Sequence, residues 1–381
     1  MKKVLAIVGI IGVIGLMGLI INFQFTIFKK DLLNPLGEER KKKETNKPLV
    51  IGFLPTWMVG KTRVYGSEID ELIFLGIEVT EEGRLAWDAQ GKKINSEEYL
   101  KIKREIRRNG GKNILGIKLF EDEKLDKLLG DKESKERLIE ELRVMVRVGG
   151  FGGVNVDFEY QEDPVKILEG NFLEFLGELR MAQVGEIEVD VFANTIIKGS
   201  AEQMAELVSA VDKVIVMAYD FHRPGVDYAG AVAPIRSEPG ERNILEITQR
   251  IERLGLERKK MVLAYPLYGY EWKTVSEEFG SQVKRGWYQM ASWKRVKEMI
   301  NNFKFQVSNF ETKWDELSQS PWISFKENGE IHQIYYEDER SLRAKLELAR
   351  QTELGGVGFW ALGYEGEGEE VWREVRRILS N

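Results

Sequence analysis

The sequence predicts an α/β chain: a (β/α)8 TIM barrel with a small α+β insertion between strands 7 and 8, preceded by an N-terminal transmembrane helix. Three observations carry that prediction. Eight apolar, β-branched runs recur between helical patterns after residue 48, one interval (271–337) is too long for a loop, and the first 28 residues are apolar enough to cross a bilayer. A length of 381 residues allows one large barrel with an insertion, or two domains. With 43% hydrophobic and 31% charged residues, most of the chain can bury a core.

Taken in order, Lys2 and Lys3 precede an unbroken apolar or glycine run from Val4 to Ile21. As a helix this run spans about 27 Å, close to the hydrocarbon thickness of a membrane. No small-x-small cleavage site follows, so residues 1–28 read as an uncleaved anchor. The flanking charges leave its orientation open, because Lys29, Lys30 and Arg40 to Lys43 outweigh Lys2 and Lys3. Residues 29–47, with Pro35, Gly37 and the charged run Glu38 to Glu44, read as a solvated linker to a domain over 48–381.

Strands are expected at 49–57, 71–79, 112–119, 153–160, 187–194, 213–220, 260–268 and 356–362. Tyr99, Ile102 and Ile106 mark one intervening helix; Leu138, Leu142 and Met145 another; Phe172, Phe175 and Leu179 a third. Ser200 and Gln203 form a capping box ahead of Met204 and Leu207. Ile247 and Ile251 lead to Gly255, Leu342 and Leu346 precede the last strand, and Val371, Val375 and Ile378 follow it. A doubly wound sheet is the competing arrangement.

Composition narrows the chemistry. A net charge of −6 argues against a nucleic-acid partner. No cysteine and only two histidines, His222 and His332, exclude disulfides, iron–sulfur clusters, zinc ribbons and a Cys nucleophile. His222 reads as a loop residue and His332 as structural; no metal and no cofactor are expected. Gly60-Lys61-Thr62 resembles the tail of a phosphate loop, but Pro55 stands where that loop needs glycine. Gly149 to Gly153 leads into a strand and meets Asn155, so it is not a dinucleotide loop. Carboxylates remain.

The fourth strand carries them. In Phe151-Gly-Gly-Val-Asn-Val-Asp-Phe-Glu-Tyr160, alternation puts Val154, Val156 and Phe158 on one face and Asn155, Asp157 and Glu159 on the other. The apolar face would pack under the helices and the polar face would point into the barrel. There Asp157 and Glu159 lie roughly 6.6 Å apart along the backbone. Glu159 falls at the C-terminal end of the strand, where barrel active sites form. A neighbouring carboxylate and partial burial both raise a carboxyl pKa, as a general acid at neutral pH requires. An exposed edge strand with a solvated acidic face is the alternative.

This run resembles the fourth-strand signature of glycoside hydrolase family 18, the chitinase-like hydrolases, D-G-x-D-x-D-x-E. Gly152, Asn155, Asp157 and Glu159 occupy its four acidic positions, so the last two match and the first two do not. Val216-Met-Ala-Tyr-Asp220 is similar to the sixth-strand motif, Leu263 to Tyr270 to the seventh, and Gly355-Gly-Val-Gly-Phe-Trp360 to the eighth. The resemblance spans about 48–380, with a spore-germination flavour in Tyr265 to Trp272 and Phe359 to Glu365. Gly116 to Phe120 stands where a third-strand S-x-G-G is absent.

The resemblance implies substrate-assisted retaining hydrolysis of N-acetylglucosamine-containing glycans, peptidoglycan or chitin-like, without an enzyme nucleophile. In that scheme Glu159 is the acid, Asp157 stabilises the acetamido group, Tyr219 hydrogen-bonds it and Asp220 holds the distorted ring. Met217 would line the pocket and Trp360 form its floor; Asn155, Tyr268 and Trp57 join the substrate-binding set. Met217, Tyr219 and Trp360 could instead fill barrel layers, but Asp220 beside them favours a site. Five of the nine tryptophans, Trp272, Trp287, Trp293, Trp314 and Trp322, fall in the insertion, either to face sugar rings or to build its own core. Asparagine at 155 removes a charge beside Asp157, predicting a less elevated Asp157 pKa than an acid there would impose. The expected protein is a monomeric, membrane-anchored glycosidase with its catalytic domain outside the cytoplasm. A tethered, catalytically weak glycan binder is the other reading.

Overall fold

The computed structural model describes residues 47–303 and 311–379. Residues 1–28, on which the membrane-anchor expectation falls, lie outside them. Among the described residues no helix is long and apolar enough to cross a membrane.

Eight parallel strands close into a barrel: β1 (Leu49–Pro55), β2 (Glu71–Glu78), β3 (Lys112–Leu119), β4 (Gly153–Phe158), β5 (Glu186–Phe192), β6 (Lys213–Met217), β7 (Met261–Pro266) and, after the insertion, β13 (Gly356–Trp360). Chain neighbours are spatial neighbours, and β13 pairs with both β7 and β1. A closed ring replaces the doubly wound alternative. Val154, Val156 and Phe158 face outward into the main core, where Phe158 stacks on Phe175 of helix Gly170–Met181 at 6.0 Å between ring centres. Helix Glu97–Arg108 buries Tyr99, Ile102 and Ile106, and its N-cap Ser96 accepts from the Tyr99 amide. Helix Lys132–Gly149 ends at Gly150 with φ +63°, a left-handed cap that glycine adopts without steric cost. The Ser200–Gln203 capping box forms as expected. Two short helices, Asp122–Gly130 and Ala193–Lys198, were not anticipated.

Inside the barrel, Ile51, Phe53, Ile73, Leu75, Ile114, Ile215, Val262 and Ala264 form a separate apolar cluster. Its β4–β5 side is polar: Asn155, Asp157, Glu188 and Asp190 are all buried. At the N-terminal end, the Lys213 ammonium lies 3.0 Å from Glu71, 2.8 Å from Glu186 and 3.1 Å from Glu188. Burial, and then the like charge of Glu71, holds the Glu188 carboxyl well above the ordinary range.

The second sheet is antiparallel, in the order β10-β11-β12-β8-β9. Its strands are β8 (Tyr268–Thr274), β9 (Val283–Ser292), β10 (Glu311–Asp315), β11 (Ser320–Glu327) and β12 (Glu330–Tyr335), with helix Trp293–Phe303 between β9 and β10. It starts directly after β7, at Tyr268 rather than at 271. Trp272, Trp293 and Trp322 are buried in the main core, and Trp314 packs under the Arg340 guanidinium at 3.7 Å. His332 is buried against the rings of Trp287 and Phe325, 2.7 Å from Glu271.

Candidate active site

β4 ends at Phe158 and β6 at Met217, short of the predicted 160 and 220. Glu159, Tyr219 and Asp220 therefore stand just past the strand ends, at the C-terminal mouth of the barrel. The Glu159 amide still bonds to the Leu119 carbonyl at 3.0 Å, which extends the β4 alternation by one residue. Entry into β4 depends on Gly153, where a Cβ would lie 2.1 Å from the Glu186 carbonyl oxygen. Only glycine lets β4 and β5 approach this closely.

A cavity of about 470 Å³ opens at this mouth. Asp157 and Glu159 line it side by side, and their carboxyls share a hydrogen bond. Burial raises both above the ordinary carboxylate range. For Asp157 the negative charges of Glu159 and Asp190 add to that rise, against a smaller opposing pull from Lys118. For Glu159 the hydrogen bonds from Gln161 and Asp157 work against burial without cancelling it. The Gln161 side-chain amide donates to Glu159 at 2.5 Å.

Met217, Tyr219, Asp220 and Trp360 join the same cavity wall, as do Tyr268 and Trp57. Asp220 has φ +59°, a left-handed backbone that aspartate tolerates better than most side chains and that aims its carboxylate back at the cavity. Its Oδ1 accepts from the Tyr268 hydroxyl at 2.6 Å and the Tyr270 hydroxyl at 3.2 Å. Burial lifts the Asp220 pKa, and these two donors hold it back. The Tyr268 hydroxyl is thus engaged by Asp220, and its ring is what faces the cavity. Burial, followed by the charges of Asp220 and Asp157, drives the Tyr219 pKa far up, so its hydroxyl stays protonated. Trp360 meets Phe53 and Trp57 edge-on at 5.9 and 6.1 Å.

Asn155 is placed differently from its expected role. It is fully buried, lies beneath the cavity and donates from Nδ2 to Asp190 Oδ1 at 2.9 Å. It supports the site from below and offers no surface to a substrate. The expected relief of Asp157 is offset because Asp190 supplies a neighbouring charge from β5. None of the five insertion tryptophans lines the cavity. His222 bonds the Ala231 carbonyl at 3.0 Å and stands outside the cavity.

Asp190, Gln161 and Tyr270 escaped the sequence reading. Asp190 had a signal: Glu186-Ile-Glu-Val-Asp190 alternates acid and aliphatic residues as β4 does. Gln161 follows Glu159 by two on the same alternation, whereas nothing local marks Tyr270 as a partner of Asp220.

Comparison with known proteins identifies the family and the fold. The model for "Glycosyl hydrolases family 18" matches residues 49–365. The cortical fragment-lytic enzyme of Bacillus subtilis is 27% identical over 258 residues, covering 64% of this chain and 54% of that relative. The chain thus spans about half of that protein's length. The spore cortex-lytic enzyme SleL of Bacillus cereus superimposes with a TM-score of 0.69 at 19% identity, over 90% of this chain and 75% of that one. A family 18 chitinase from Cycas revoluta, solved with (GlcNAc)3, gives 0.71 at 20% identity, over 87% and 98%. These two solved structures show the shared fold. With the family's pattern matched across nearly all of the barrel, the chain belongs to glycosyl hydrolase family 18 and is a glycosidase.

Proposed function

We propose that this protein hydrolyses N-acetylglucosamine-containing glycans, peptidoglycan foremost, by substrate-assisted retention. One observation carries the reading: two hydrogen-bonded carboxyls, the buried Asp157 and the half-buried Glu159, face one cavity with a protonated tyrosine hydroxyl and an aromatic floor. Raised proton affinity lets Glu159 deliver a proton to the glycosidic oxygen at neutral pH. The substrate's 2-acetamido oxygen then attacks the anomeric carbon, the C–O bond breaks, and a positively charged oxazolinium forms. Asp157 stabilises that charge from below and Tyr219 donates to the acetamido oxygen. Asp220, held by Tyr268 and Tyr270, positions the distorted sugar, with Trp360 beneath it and Met217 and Trp57 at the sides. Water opens the ring with Glu159 as base, restoring the proton.

The cortex-lytic names of the two bacillar relatives support peptidoglycan over chitin. Tethering through residues 1–28, with the barrel outside the cytoplasm, fits a wall polymer as substrate. Deleting 1–28 should release the protein from the membrane fraction of cells; retention there refutes the anchor. The test of activity is turnover of peptidoglycan and chitooligosaccharides with Glu159→Gln as control. That substitution should lower kcat by about 10²–10⁴-fold. Full activity after it removes the assigned acid, and binding without turnover by the wild type supports a glycan-binding role instead.

A further inference from the structure

Asp190 lies on the inward face of β5, is 4% exposed, and lines the same cavity as Asp157 and Glu159. Its one side-chain bond among those described is from Asn155 Nδ2, at 2.9 Å. Asn155 sits two residues before Asp157 on the same face of β4, so the amide ties the β5 carboxyl to the catalytic row. We propose that Asp190 is a positioning residue of the reaction: through Asn155 and across the gap between β4 and β5, it keeps the shared proton on the Asp157–Glu159 pair.

The physical need is specific. The pair must hold one proton before bond cleavage, and Asp157 must carry negative charge once the oxazolinium forms. Asn155 contributes no charge to this balance. A second carboxylate facing Asp157 in a dry site raises the pair's proton affinity without competing for the substrate. The other charged and titratable groups lining the cavity with Asp190 are Asp157 on β4, Glu159 just past it, Tyr219 and Asp220 beyond β6, Tyr268 on β8, Lys118 on β3, Arg223 in the loop after β6 and Arg242, which is paired with Glu246. Glu188, below it on β5, is held by Lys213. Lys118 is already paired with Glu78 at 3.0 Å, and Arg223 acts on Glu159 and Asp220 instead. No cation in this set pairs with Asp190, so its charge, once it ionises, acts on Asp157 and through it on the hydrogen-bonded pair. Burial places its own titration at about 8, with the Asn155 bond opposing that rise and the Glu159 charge adding to it. The three carboxyls then titrate as one coupled set.

The reading rests on Glu159 and Asp157 as the proposed acid and stabiliser, and the test separates the two claims. It measures kcat/KM against pH on chitotetraose, with titration of the aspartate side-chain 13C carboxyl signals as a readout that needs no turnover. Asp190→Asn removes a like charge, so the alkaline limb and the matching carboxyl titration should move to lower pH by about one unit. The exchange N155D with D190N keeps an acid–amide pair across the same bond, and should return both readouts towards the wild-type position. A purely structural Asp190 predicts lower activity or stability with unmoved titrations, which overturns the proposal. So does an exchange variant that keeps the Asp190→Asn profile or fails to fold. Should Glu159→Gln retain activity, the site assignment fails; unmoved titrations in a protein that Glu159→Gln inactivates remove Asp190 alone.

Discussion

Tyr268→Phe isolates one of the two hydrogen bonds that hold Asp220. The Tyr268 hydroxyl donates at 2.6 Å and the Tyr270 hydroxyl at 3.2 Å, both to Oδ1, so the shorter bond is the stronger. A hydrogen bond to a charged group contributes about 1.5–3 kcal/mol, or roughly 1–2 pKa units on the group that accepts it. Both hydroxyls favour the charged carboxylate and oppose the rise that burial causes. Losing one must therefore raise the Asp220 pKa further. If ring positioning requires ionised Asp220, activity disappears as pH falls through that pKa. The acid limb of the kcat profile should then move up by about 1–2 pH units in Tyr268→Phe and by less in Tyr270→Phe, with the plateau above it largely kept. The assay is kcat against pH for the three proteins, with melting curves as a folding control. An unmoved acid limb, or a larger shift from Tyr270→Phe, refutes the assignment of Asp220 and its donors.

Further expectations follow from the barrel itself. Lys213→Met leaves Glu71, Glu186 and Glu188 without their shared cation and should destabilise the protein by about 3–5 kcal/mol in denaturant melts at neutral pH. Lys213 opposes the rise of the folded Glu188 pKa, so its loss raises that pKa further and makes the variant's native state hold more protons than the wild type's. The deficit should grow as pH rises through the window above the ordinary glutamate value, and a variant equally stable at all pH values contradicts this. Gly153→Ala should abolish folding or activity, since its Cβ meets backbone at 2.1 Å, whereas Gly152→Ala, with its nearest atom at 3.5 Å, should behave as wild type in both. Trp360→Ala should lower kcat/KM roughly tenfold, chiefly through KM; an unchanged KM removes it from the sugar-binding floor.

Strict alternation made β4 legible, because a buried strand with one aliphatic and one acidic face has few other uses. It located Asp157 and Glu159 and, with the later motifs, Tyr219, Asp220 and Trp360. What escaped was contact between strands. Asn155 reads as a substrate ligand on its own strand; only the β4–β5 pairing shows its amide committed to Asp190. The aliphatic residues of β5 masked its acids, although Glu186, Glu188 and Asp190 repeat the same period. Tyr268 was assigned to the substrate, but its bond to Asp220 depends on a positive φ that no local pattern announces. The insertion tryptophans were equally ambiguous, and packing settled three of them: Trp272, Trp293 and Trp322 join the main core that continues from the barrel into the second sheet.

The acids inside the barrel bear on how this protein can change. Asp157 and Asp190 occupy lumen positions that, on β1, β6 and β7, are filled by Ile51, Phe53, Ile215 and Val262. Folding must dehydrate carboxyls there that a hydrocarbon layer would not contain, so the native state is less stable than its scaffold allows. Aliphatic replacements at these two positions should raise the melting temperature while silencing the enzyme. A lineage released from selection for hydrolysis would thus drift readily into robust, inert barrels, and thermal hardiness in a homologue lacking these acids would mark abandoned chemistry.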